Sequence, residues 1–217
     1  FKFHKHITGK ERFGLVHNRY LEFLEEEIFQ RDAEPCFYLY EISKGDFLSL
    51  GFFCACSVSD YREDIIKKHE DTLQDREELF ADYLDTVGFN AEPVLMTYPD
   101  NTDINNLFTA IQKVLPEHEF TTTDKVKHRL WKISETEYKE KLVAAFEKLD
   151  ALYIADGHHR SASSNLLAHR MEKSNPTHTG NEAYKFFKTY LITESQIKIY
   201  EFNRMVSDLN GHYKEEF

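Results

Sequence analysis

Cysteine is scarce, with three residues in 217. Cys36, Cys54 and Cys56 make an odd count with no CxxC pair. That argues against a disulfide framework and a thiolate zinc site, and sets reducing cytoplasm as the expected compartment. All three read as small, buried, apolar side chains, with Cys54 and Cys56 on one face of a strand. Long apolar runs are lacking too. Leu50 to Val58 is far short of the roughly 20 residues that a membrane span needs. No charged-then-apolar leader opens the chain, so no signal peptide is read. Positive charge is outweighed: 27 Lys and Arg against 38 Asp and Glu leave a formal charge of −11. Such a chain repels phosphate backbone at range, so no nucleic-acid partner is expected. A small basic pocket for one phosphate stays compatible with it. Internal repeats and low-complexity segments are also missing.

What is present is ordinary globular composition, 41% hydrophobic and 30% charged. At roughly 150 residues per domain, the length suits a single domain able to bury a core. The chain opens on Phe1 and stops on Glu215-Glu216-Phe217 without a closing element, so a fragment of a longer protein is expected.

Alternating elements predict an α+β domain with three regions. Residues 1–58 hold a helix over 13–30 and a hairpin, 36–42 against 47–57, turned at Ser43-Lys44-Gly45-Asp46. Residues 59–175 hold the core, with an insertion over 99–149. There Ser59 or Asp60 caps a short helix through Ile66. Thr72 opens another, with Asp75 completing a capping box, Leu79, Phe80, Tyr83, Leu84 and Val87 as its stripe, and Gly88 as its stop. A strand follows at Pro93-Val94-Leu95-Met96, then a helix over Ile104 to Ile111 and a strand at 126–133. Ser134 with Glu137 caps a helix burying Leu142, Ala145 and Phe146. Strand 151–155 runs almost directly into a helix carrying Ala162, Leu166 and Met171. Residues 176–217 extend the chain beyond it, with a further apolar run at 186–192.

Chemistry concentrates at Asp156-Gly157-His158-His159-Arg160, where strand 151–155 gives way to a helix starting near 158. The first N–H groups of that helix have no internal partner, and the helix dipole adds partial positive charge. Together they suit an anion, above all phosphate. Gly157 lets an oxygen approach the backbone, and Arg160 offers a two-pronged donor. His158 and His159 can donate hydrogen bonds or shuttle a proton. Asp156 beside a phosphate site is repulsive unless it holds Mg²⁺ or takes a proton from a hydroxyl. A purely structural reading stands beside this one, with Asp156 an N-cap and His-His-Arg a solvated first turn. Adjacent helical histidines point about 100° apart, so His158 and His159 are poor joint ligands for zinc. The cluster Lys67-Lys68-His69-Glu70-Asp71-Thr72 reads on its own as a charged connector.

The stretch YIADGHHR, 153–160, resembles the signature of the bacterial and archaeal family known as domain of unknown function 1015. Ile66 to Thr72, Glu92-Pro93-Val94-Leu95, Phe202 to Val206 and Asp208 to Gly211 match that family in the same order. Its members are longer at both ends. More distantly, the succession helix, Pro-Val strand, then strand ending in a DGHHR loop is similar to the ParB/sulfiredoxin superfamily, whose free serine kinases carry a closely similar loop. That resemblance implies a ParB-like core binding a nucleotide through Gly157, His158, His159, Arg160 and the following Ser161. Asp156 would then lie at the reacting centre with a Mg²⁺, and Glu70 would be the base, with Glu63, Glu77 and Glu92 as alternatives. The expected activity is phosphoryl transfer from a nucleotide to a small hydroxyl compound such as serine. A phosphatase and a ParB-like nucleotide-binding regulator are the alternatives.

Overall fold

A computed structural model describes residues 8–208 and 210–211. The expected match at Leu209 lies outside the described residues. One eight-stranded sheet organises the molecule, in the order β3-β7-β4-β8-β2-β1-β6-β5.

The sheet grows from the aromatic hairpin. Strands β1 (Phe37–Lys44) and β2 (Phe47–Ser57) pair antiparallel around Gly45, which takes the left-handed φ of 56° that the tight turn requires. Strand β6 (Lys127–Ile133) pairs antiparallel with β1, and β5 (His118–Thr121) closes that edge on β6. The 99–149 stretch thus widens the sheet. On the other flank β8 (Phe186–Thr193) joins β2 antiparallel. Strand β4 (Val94–Tyr98) lies parallel to β8, β7 (Leu152–Asp156) antiparallel to β4, and the two-residue β3 (Ile66–Lys67) parallel to β7. All three sequence regions contribute strands. Between Leu95 and Met96 the β4–β7 register shifts, next to Asp156 at the end of β7. Such irregularities turn a strand end away from regular pairing.

Helices cover the sheet in two groups. α4 (Thr102–Ile111) and α5 (Thr136–Phe146) bring Phe108 and Phe146 onto Phe52 of β2. Phe146 also meets Tyr98 edge-on. α1 (Gly9–Glu25), α3 (Gln74–Val87) and α6 (His158–Ser174) pack together, with Phe13 edge-on to Tyr83 and Arg170 paired with Asp82. The largest fully buried side chains, among them Tyr98, Phe187, Leu39, Ile66 and Met96, come mostly from strands. Cys54 and Cys56 share a face, as alternation requires, with sulfurs 3.9 Å apart and both against the Thr189 hydroxyl. They are half-buried. Among the described residues no helix is long and apolar enough to cross a membrane.

Several local expectations need correction. The helix after β2 is only α2 (Val58–Arg62), capped by the Ser57 hydroxyl, so Ile66 belongs to β3. α3 begins at Gln74, because the Thr72 hydroxyl donates to Glu77 and makes no capping box with Asp75. Ser134 and Glu137 make no box either, because Glu137 turns forward to Lys141, one helical turn on. The first helix runs over 9–25 rather than 13–30, with Thr8 and Glu11 in a reciprocal capping box. Gly88 stops α3 as expected, at φ 81°.

Candidate functional site

β7 delivers Asp156, Gly157 turns the chain, and α6 starts at His158. Gly157 is the N-cap at φ 100°, a conformation that costs a side-chain-bearing residue strain, and it supplies no capping side chain. The first intrahelical bond runs from the Ser161 N–H to the Gly157 carbonyl, 3.0 Å. The N–H groups of His158, His159 and Arg160 therefore precede the helical ladder, in the position that favours an anion.

The Arg160 guanidinium folds back over Gly157. A Cβ there would sit 2.8 to 3.2 Å from it. Its Nη2 donates to Asp156 at 2.6 Å and its Nη1 to Glu92 at 2.7 Å. Its Nε is buried without a hydrogen-bond partner. Asp156 and Glu92 thus hold the guanidinium across the loop, and the Asp156 carboxylate remains largely exposed. Arg160 and Glu92 border a cavity of about 290 Å³ that Phe80, Tyr83 and Asn90 also line.

The loop from Lys68 to Leu73 is tied to the first turn of α6 by both histidines. The His69 N–H donates to His158 Nε2 and the Leu73 N–H to His159 Nε2, each at 3.4 Å. An Nε2 that accepts leaves the proton of a neutral ring on Nδ1. In His158 that Nδ1 lies 3.4 Å from Glu70 Oε2. The His69 ring stands edge-on to the His158 ring at 4.4 Å, with its Nε2 4.0 Å from Glu70 Oε1. The His158 side chain is only 3% exposed. Burial holds its pKa below the ordinary histidine value, and His69 adds to this, while Glu70 and Asp156 pull the other way.

Sequence reasoning placed Asp156, His158 and Glu70 at one centre. In the structure Glu70 lies directly against His158, and Asp156 acts on that ring electrostatically. Ser161 faces inward: its hydroxyl donates to the His158 carbonyl at 3.0 Å and its N–H is spent on the helix, so it presents no donor to a phosphate. His69 enters the site although its cluster reads in the sequence as a plain connector. Glu92, named among alternative bases, instead holds Arg160. The signal for both was their place in the two family-like stretches that precede the loop.

The chain belongs to the DUF1015 family. The family described as protein of unknown function (DUF1015) matches residues 2–217. No curated protein and no solved structure matches the chain.

Proposed function

We propose that this DUF1015 chain is a phosphotransferase that moves a phosphoryl group between a nucleotide and a small hydroxyl acceptor of the serine type. One observation carries the reading. A carboxylate, Glu70, is brought against the first turn of a helix whose leading N–H groups are unspent, beside an arginine with an unpartnered Nε. Phosphoryl transfer asks for little else than positioning and charge neutralisation. The N–H groups of His158 to Arg160 receive phosphate oxygens. Arg160 exchanges one of its two carboxylate partners for the phosphate. Glu70 takes the acceptor's hydroxyl proton, and the His158 Nδ1–H orients its carboxylate. The sequence resemblance of the Pro-Val strand and DGHHR loop to the ParB/sulfiredoxin superfamily points the same way.

The residues fit a Mg²⁺ ion that arrives with the nucleotide. Asp156 uses Oδ2 on Arg160 and is otherwise exposed, and Mg²⁺ in such sites needs one or two carboxylates besides phosphate oxygens. When bound, the ion neutralises charge on the transferring group. The aromatic cavity beside Arg160 is of a size to take a nucleobase.

The test is turnover. Purified protein with Mg²⁺, adenine or guanine nucleotides and serine should yield phosphorylated acceptor, read by phosphorus NMR. Glu70→Gln should lower the rate by about 10²–10⁴-fold, the usual loss for a general base, without changing the melting temperature. Nucleotide binding without turnover would favour the regulator reading. Phosphoserine hydrolysis without nucleotide would favour the phosphatase. No nucleotide or phosphate binding at all would end the proposal.

A further inference from the structure

We propose that His69, Glu70 and His158 form a binding site for a divalent transition-metal ion of the zinc class, distinct from any Mg²⁺ carried by a nucleotide.

The donors are already grouped. One ligand atom from each residue lies within 4.8 Å of the other two. Glu70 reaches both rings, Oε2 3.4 Å from His158 Nδ1 and Oε1 4.0 Å from His69 Nε2. Tetrahedral zinc, with bonds of about 2.0–2.1 Å, wants donor atoms separated by roughly 3.3 Å. The separation to His158 meets that value, and the one to His69, from the other carboxylate oxygen, exceeds it by less than 1 Å. The remaining adjustment falls on the side chains free to make it. His69 is 59% exposed and Glu70 61% exposed, while His158 is packed at the head of α6 and acts as the fixed anchor.

The donor set selects the ion. Two imidazoles and one carboxylate are borderline ligands, suited to zinc, cobalt or nickel, whereas magnesium prefers a shell of oxygen. Three protein ligands leave a fourth position open to water or substrate. The adjacent His158 and His159 point apart, as helical spacing demands, and the second imidazole comes instead from His69, 89 residues before His158.

Binding keeps the protons balanced. The neutral His158 ring carries its single proton on Nδ1, between the ring and Glu70. On metal binding that proton moves to Nε2, the 3.4 Å contact from the His69 N–H is given up, and the Nδ1 lone pair meets the metal. A metal on the Glu70 carboxylate also withdraws it as a base. Zinc occupancy and proton abstraction by Glu70 exclude each other, so zinc is an inhibitor of the proposed transfer. The metal site itself does not depend on that transfer.

The experiment uses the full chain stripped of metal with a chelator and titrated with Co²⁺, then Zn²⁺. One equivalent of Co²⁺ should develop the visible absorption of a four-coordinate centre, and Zn²⁺ should abolish it. His69→Ala and Glu70→Gln lie on an exposed loop and should fold, as far-UV circular dichroism checks. Each should weaken Zn²⁺ binding at least about 10-fold, the loss that disturbing a mere supporting partner of a ligand already causes. His169→Ala, an exposed histidine further along α6, should leave it unchanged. Absent Co²⁺ absorption, unchanged binding in His69→Ala, or equal weakening in His169→Ala would each overturn the site. Zinc binding without phosphoryl transfer would leave this inference standing and remove the phosphotransferase.

Discussion

Two glutamates contrast two regions of the sheet. Glu41, in the middle of β1, is 4% exposed and fully engaged. Arg129 of β6 donates to its Oε1 at 3.1 Å, and Gln112 after α4 donates to its Oε2 at 3.0 Å. Arg129 is itself shared with Glu119 of β5. Glu70, just past β3, is mostly exposed and among the described residues meets only two imidazoles, at 3.4 and 4.0 Å. The hairpin end closes its polar groups on one another and so fixes strand register. The loop end leaves helix N–H groups, an arginine Nε and a carboxylate with spare capacity. A buried network is stabilising only when complete, whereas exposed groups with spare capacity can take a ligand without such a cost.

Removing each carboxylate breaks this comparison most directly. Glu41→Ala should destabilise the fold by about 3 kcal/mol, the low end for breaking a buried pair, because Arg129 keeps Glu119 and some solvent. Glu70→Ala should cost less than about 0.5 kcal/mol, as an exposed pair does. Urea unfolding of the two variants measures both. Comparable losses would show that the loop end is structural after all.

Gly157→Ala comes next. It forces a side chain into φ 100° and pushes the Arg160 guanidinium off the loop. A cost of about 1–3 kcal/mol is expected from the backbone, together with weakened phosphate binding measured by calorimetry. Unchanged phosphate affinity would detach Arg160 from the anion site.

The smallest effect sharpens the distinction between satisfied and unsatisfied carboxylates. Glu182 accepts from the Thr179 and Gly180 N–H groups and the Thr179 hydroxyl, and these bonds, the Thr179 N–H foremost, hold its pKa down to about 2 from the usual 4.5. A depressed folded-state pKa adds stability that is full above 4.5 and lost as pH falls towards 2. Glu182→Gln should therefore be less stable than the parent at pH 6, with the difference shrinking on acidification. A constant difference across that window would contradict the bonding.

Much of this was legible in the chain. Strand-like runs gave β1, β2, β4, β6 and β7 because their side chains face a core, β8 showed only as an apolar run, and the DGHHR loop fell where a strand meets a helix. β5 was invisible, since His118 to Thr121 is exposed throughout and alternates nothing. β3 was lost because two residues carry no period. The false capping boxes at Thr72 and Ser134 failed for a common reason: a Ser or Thr followed by an acid three residues on says nothing of competitors, and Glu77 and Lys141 were better partners. Within the site, the loop was readable as local sequence. The clamp of Glu92 on Arg160 and the meeting of His69 with His158 were not, because they span 68 and 89 residues.

The shortness of β3 has a further consequence, for time rather than shape. The start of the segment carrying His69 and Glu70 joins the sheet through a two-residue strand paired on one side only, although its Ile66 is fully buried. His158, in contrast, rides on a 17-residue helix. Edges of that size open far more often than the global fold, at a free energy set by a few backbone bonds. The two sides of the site are therefore expected to run on separate clocks, with amide exchange faster in the loop that carries Glu70 than in the helix that carries His158.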